Sequence, residues 1–466
     1  MSNEAQQNNA TLIWNVAEIL RGNYKQSQYQ QVVLPFTVLR RLDAVLTPKK
    51  VEFLAAIGKF EGMDGAEVGL QSTARKIYGH EFYNRSPLDF SKLLDDHDNV
   101  AANLKKYIAG FSPDVQEVFE RFGFNATIND LDKKKILYDV VGRFATADLH
   151  PDTISNIEMG YLYEELIRKF SELSNETAGE HFTPREVIEL MVNVLITDDD
   201  EILTKAGKIA KIYDPAAGTG GMLSVAENHI RKLNPGATVA LYGQELNDET
   251  YAVAKSDLMV KGQDASRFVA GNSFTEDGHA DETFDYILAN PPFGVDWKNY
   301  AKPIEEEHKQ LGFDGRFGPG LPRKSDGSML FLLHMIAKMK PVEDGGSRIA
   351  IIFNASPLFT GSPGGGESEI RRWIIENDWL EAIIAMPEQM FYNTGIATYI
   401  WIVTNVKSDE RKGTVQLIDA REMWEPMRKS LGDKRRYFSQ ENIDTITALH
   451  AAYTDADESV SKVFPN

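Results

Sequence analysis

From Ile209 onward the chain alternates short apolar runs with amphipathic segments, and this alternation constrains the fold more than any other feature of its 466 residues. The runs are IAKIYD (209–214), TVALYGQE (238–245), RFVAG (267–271), DYILA (285–289), SRIAIIF (347–353), LEAIIAM (380–386) and ATYIWIVTN (397–405). Between the first two, MLSVAENHIRKL has the spacing of a helix with one apolar face. Continuous apolar strands separated by helices fold as a mostly parallel sheet covered on both faces. The expectation is an α/β domain with a seven-stranded, mostly parallel, Rossmann-like sheet.

The residues before this region carry only helical patterns. TLIWNVAEILRGNY opens with Thr11 as a candidate N-cap and sets Leu12, Val16, Ile19 and Leu20 near one face. YQQVVLPFTVLRRLDAVL continues, with Pro35 as an expected break or kink. VQEVFERF, KKILYDVVGRF and MGYLYEELIRKF read as further amphipathic helices. The resulting division is an all-helical N-terminal domain over 1–165, the α/β domain over 166–425 and a charged, helical C-terminal tail over 426–466.

Composition narrows the class. Hydrophobic residues are 42% and charged residues 26%, enough to bury a sizeable core. The polar start MSNEAQQNNA is not a signal peptide, and no apolar run approaches a membrane span, so the expected location is the cytoplasm. Absence of cysteine removes disulfides, thiolate metal sites and cysteine nucleophiles. No metal site is expected. The net charge of −19 argues against coating nucleic acid by broad electrostatics. It leaves room for a local basic groove or for binding through a partner.

IYDPAAGTGGML (212–223) joins a strand to a helix through a glycine-rich loop. Small residues let a ligand approach the backbone, and the helix start offers N–H groups. The G-x-G-x-x-G dinucleotide pattern fails, because position 223 is Leu, and no Gly-Lys-Ser/Thr follows for a phosphate loop. A plain tight turn is the bland alternative. Glu245 closes the second strand, 24 residues beyond Gly221, where an acidic side chain can hydrogen-bond both hydroxyls of a ribose. Asn272, after the third strand, either holds the edge of an adenine or is a turn asparagine. Together these residues describe a nucleoside site without a phosphate requirement, which suits S-adenosylmethionine.

The fourth strand ends in Asn290-Pro291-Pro292-Phe293. Two prolines cannot continue a central strand, so the chain turns rigidly there and displays an amide and an aromatic ring. An exocyclic amine on an aromatic ring is a weak nucleophile because its lone pair is delocalised. Two acceptors aimed at its N–H groups, the Asn290 side-chain oxygen and the Pro291 carbonyl, draw the nitrogen toward sp³ geometry. This is positioning and electrostatic preorganisation, with no titrating group. Phe293 can stack on the ring.

DPAAGTGG followed by NPPF resembles the methyltransferases that modify adenine N6 in DNA, in the gamma order of motifs. IWNVAEILRG, GEHFTPREV and the SRIAIIFNASPLFTGSPGGGESEIRRW segment extend the likeness to the modification (M) subunit of type I restriction–modification systems, over nearly the whole chain. The resemblance implies a cofactor site made of Glu180, His181, Phe182, Thr183, Pro184, Arg185, Asp214, Pro215, Ala216, Ala217, Gly218, Thr219, Gly220, Gly221, Glu245 and Asn272. It implies a catalytic turn of Asn290, Pro291, Pro292 and Phe293, with Phe391 or Tyr392 on the second face of a flipped adenine. It also implies partners: DNA, a specificity (S) subunit that reads the sequence, a second M subunit and, in some assemblies, a restriction (R) subunit. The helical N-terminal region and the basic C-terminal stretch are then candidate contacts. Competing readings are methylation of a protein glutamine or RNA base, an inactive DNA- or partner-binding subunit, and a standalone enzyme. Cytosine C5 chemistry is excluded for want of a cysteine.

Overall fold

A computed structural model describes residues 11, 14–60, 63, 65–174 (backbone only for 171–174), 183–196, 209–392, 394–455 and 460–466. Leu12, Glu180, His181 and Phe182 lie outside the described residues. The chain forms two compact units, one of residues 1–177 and 247–266, the other of 178–246 and 267–466.

The first unit is helical. A single helix, Gln30–Leu46, runs through Pro35 without the expected break, and its residues Val32 to Leu39 are buried. The helix Asp248–Val260 belongs to this unit although it connects two strands of the other. Tyr251, Ala252, Val253 and Ala254 are buried, and polar bonds hold it: Lys255 Nζ to Glu117 Oε2 at 2.6 Å, Gln30 Nε2 to Glu249 Oε2 at 2.6 Å and Arg121 Nη1 to Asp248 Oδ1 at 3.0 Å.

The second unit is built on a sheet. Its strands are β1 (Ile209–Asp214), β2 (Thr238–Glu245), β3 (Phe268–Ala270), β4 (Tyr286–Ala289), β5 (Arg348–Asn354), β6 (Leu380–Ala385), β7 (Thr398–Thr404), β8 (Thr414–Asp419) and, after a separate hairpin of β9 (Glu425–Leu431) and β10 (Lys434–Tyr437), β11 (Ser461–Pro465). The order β11-β8-β6-β7-β5-β4-β1-β2-β3 gives nine strands among the described residues, not seven. All seven expected strands are present, and β8 and β11 extend the sheet at one edge. Pairing is parallel except that β7 opposes β5 and β6, and β11 opposes β8. β4 and β5 sit centrally and are buried along almost their whole length, as is β1 from Ile212 onward, which is why they read as apolar runs.

The compact units do not coincide with the 1–165, 166–425 and 426–466 division. Residues 247–266 pack with the helical unit. Residues 426–466 supply β11 and the helix Gln440–Ala452, whose Ile443, Ile446 and His450 are buried, so this stretch is part of the sheet unit.

Candidate active site

Three parallel strands deliver their carboxyl ends to one crevice. β1 pairs with both β2 and β4, so the order reverses at β1, the position where open α/β sheets bind ligands. β1 ends at Asp214, which is buried and accepts the Ala216 N–H at 2.9 Å, starting the turn. The loop is then fastened to β2. Ala217 N–H donates to the Gln244 carbonyl at 3.0 Å, and Gly218 N–H donates to Glu245 Oε2 at 2.8 Å. Ser273 Oγ, beyond β3, donates to the Pro215 carbonyl at 2.6 Å. Gly218 and Gly220 have φ of 53° and 75°, left-handed values that side-chain-bearing residues adopt at a cost. A methyl group built on Gly218 would meet no atom within 4 Å, so the backbone there is open to a ligand.

The NPPF turn follows β4. Pro291 is buried, Pro292 and Phe293 are half-buried, and Gly294 has φ 63°. Asn290 Nδ2 donates to Thr183 Oγ1 at 2.9 Å. That bond brings Thr183 onto the NPPF turn, although 107 residues separate the partners. It also commits the amide nitrogen, so Oδ1 is the acceptor that Asn290 presents. Pro184 is buried at the start of the helix Arg185–Ile196, and Arg185 Nη1 reaches the Gly221 carbonyl at 3.3 Å. Thr183, Arg185, the glycine loop, Glu245 and Asn290 are thus tied together by hydrogen bonds.

The buried acid at the end of β1 is electrostatically unusual. Burial pushes the Asp214 carboxyl up to about 8; the Ala216 N–H opposes this shift and the Glu245 charge adds to it. Asn272 is buried and its Oδ1 accepts the Phe274 N–H at 2.8 Å, which is the bonding of a turn asparagine. Phe391 is 1% exposed and belongs to the core, whereas Tyr392 is half-buried. The Tyr392 carbonyl accepts from Asp433 N–H at 2.8 Å, and Lys434 Nζ lies 5.9 Å from the Tyr392 ring centre.

Two residues that shape the site carry no motif. Gln244, fully buried at the end of β2, donates to the Glu276 carbonyl at 2.7 Å and accepts from Gly278 N–H at 3.1 Å. Arg316 donates to the carbonyls of Ser273 (2.9 Å) and Phe274 (2.7 Å) and to Glu307 (2.6 Å). It pins the long loop after NPPF to the segment that holds Pro215. A buried amide inside a strand was the available signal for Gln244; Arg316 gave none, because the carbonyls of Ser273 and Phe274 that it holds lie more than forty residues away in sequence. Among the described residues no helix is long and apolar enough to cross a membrane.

Comparison with known proteins decides the family. Residues 155–464 match the family model described as N-6 DNA Methylase, and residues 10–144 match the HsdM N-terminal domain. The chain belongs to the N-6 DNA methylase family. Its relatives include the type I restriction enzyme HindI methylase subunit of Haemophilus influenzae, 31% identical over 301 residues, 64% of this chain and 61% of that one. The chain therefore spans about three fifths of that relative. The MjaIX methylase subunit of Methanocaldococcus jannaschii is 26% identical over 97% of this chain and 81% of its own. The methyltransferase subunit of a type I restriction–modification system from Streptococcus thermophilus shares the fold, with TM-score 0.73 and 22% identity over 99% of this chain and 96% of that one.

Proposed function

We propose that this methylase transfers a methyl group from S-adenosylmethionine to N6 of adenine in duplex DNA, in the cytoplasm, as the modification subunit of a type I system. The observation that carries the reading is the Asn290–Thr183 hydrogen bond, which joins the amide of the NPPF turn to the segment in front of the glycine loop. S-adenosylmethionine supplies a sulfonium-activated methyl group when bound. The residues present suit it: an open backbone at Gly218, a rim carboxylate at Glu245 and a buried acid at Asp214. Glu245 holds the Gly218 N–H with one oxygen, and a carboxylate has further acceptor positions for ribose hydroxyls.

Asn290 Oδ1 and the Pro291 carbonyl then accept the two N–H bonds of the target amine, and Phe293 lies against its ring. The adenine must leave the helix to reach the crevice, at an unstacking cost of about a few kcal/mol. Sequence recognition falls to a specificity subunit, which suits a chain with net charge −19. A second copy of this chain and, where cleavage accompanies modification, a restriction subunit complete the assembly. No feature of the site favours a protein glutamine, an RNA base or an inactive subunit.

The test is methylation of DNA lacking N6-methyladenine, with labelled cofactor, by the chain alone and with its specificity subunit. Product is expected only with the partner. Asn290→Ala should lower the rate by at least about a hundredfold, on the scale of removing one preorganised acceptor or donor, while cofactor binding survives. Label appearing in RNA or protein instead would overturn the reading.

A further inference from the structure

We propose that Phe359 is the side chain that enters the DNA base stack where the target adenine is drawn out. The inference rests on the adenine-methylation reading and extends it to the DNA face of the same site. β4 and β5 are adjacent and parallel, with Ala289 opposite Ile351, so both leave the sheet at the same edge. β4 leaves into the NPPF turn. β5 runs on to Asn354 and into the single helical turn Ser356–Phe359. No strand intervenes between the two exits.

The turn that bears Phe359 is held on every side. Ser356 N–H donates to Asn354 Oδ1 at 2.9 Å, and Thr360 N–H to the Ser356 carbonyl at 2.9 Å. Arg371 Nη1 donates to the carbonyls of Pro357 (2.9 Å) and Thr360 (2.7 Å), and Arg323 Nη2 to Ser356 Oγ (2.7 Å). Pro357 is buried and Leu358 packs against the core. Phe359, between these anchors, is 77% exposed. A backbone fixed this firmly holds a large aromatic ring out to solvent.

Charge identifies the occupant. β8 runs parallel to β6, and β7 opposes both β5 and β6, so β8 also exits at the NPPF edge, into the β9–β10 hairpin. That hairpin exposes Arg428, Lys429 and Arg435 and is bonded to the loop after β6 through Arg435 N–H to the Gln389 carbonyl at 2.9 Å. In a chain of net charge −19, an edge with an exposed aromatic and a cationic ribbon fits a phosphate backbone and its stacked bases. An extruded base leaves a gap in the stack, and an apolar wedge in the gap recovers part of the lost stacking.

The experiment uses the full chain with its specificity subunit and two duplexes that carry its site. In one the target adenine faces thymine; in the other it faces an abasic position, so that it is already unpaired. Single-turnover methylation is compared for the native chain, Phe359→Ala and Phe359→Trp. Phe359→Ala should be slower by about tenfold or more on the paired duplex, the scale of one base–aromatic stack, and within about threefold of native on the unpaired one. Phe359→Trp should track the native chain on both, and cofactor affinity should not change. Equal loss on both duplexes would assign Phe359 to a protein contact or to folding, and no loss on either would show that the ring does not enter the stack; both results overturn the proposal. Failure of the native chain to methylate either duplex would instead sink the adenine reading.

Discussion

Asp214 is a buried carboxyl whose proton is held up to a pH of about 8, against an ordinary 3.8. The unfolded chain loses that proton near pH 4 and the folded one near pH 8. Its contribution to stability is therefore complete below pH 4 and declines through this window, by at most about 1.4 kcal/mol per pH unit. Asp214→Asn should flatten the decline: the melting temperature of the native chain, measured without cofactor, should fall relative to the variant between pH 5 and pH 8. A cationic ligand at the glycine loop favours the ionised acid, so cofactor binding near pH 7 should release a proton. Calorimetry in buffers of different ionisation enthalpy measures this, and buffer-independent heats would show that Asp214 does not face the ligand's charge. Asp214, Glu245 and Asn290 were legible in the sequence because strand ends have a fixed place in such sheets. Gln244 and Arg316 were not, since each holds backbone groups that only the fold brings near. Asn272 could be read two ways, and its oxygen is bonded within its own turn.

Among elements, β2, β3 and the glycine loop meet tightly. A Cβ built on Gly243 would lie 2.4 Å from the Phe268 ring and 3.2 Å from Ala217 Cβ. Neither neighbour can yield without moving the loop or β3. Gly243→Ala should thus destabilise the protein by about 1–3 kcal/mol, the cost of overpacking a filled core. A fall in melting temperature together with weaker cofactor binding would report it; unchanged values of both would mean that the loop shifts freely. Seven strands were visible in the sequence because burial on both faces leaves unbroken apolar runs. β8 and β11 escaped notice for the opposite reason. TVQLID and SKVFP lie toward the edge and are only partly buried, with no long buried run, and charged residues surround them. The β9–β10 hairpin is mostly exposed and has no apolar pattern to read, although Lys434 anchors it to Glu186 at 2.5 Å.

For the whole molecule, sequence patterns gave the helical and α/β regions, while the seam between them was hidden by an excursion of the chain. Helix Asp248–Val260 lies between β2 and β3 in sequence, as a crossover helix would, yet its polar bonds run to Gln30, Glu117 and Arg121 of the helical unit. The chain consequently passes from one unit to the other three times, after residues 177, 246 and 266. Residues 1–177 produced alone would lack a helix whose Tyr251, Ala252, Val253 and Ala254 are buried. That fragment should aggregate or melt well below the full chain. A single cut at 177/178 in the folded protein should leave both pieces co-eluting; their separation would mean that the helix contributes little to the unit. The two units are thus stitched rather than strung, and neither can be exchanged between proteins as a cassette without unpicking the other. Any lineage that swaps its catalytic half must inherit a piece of the helical half with it.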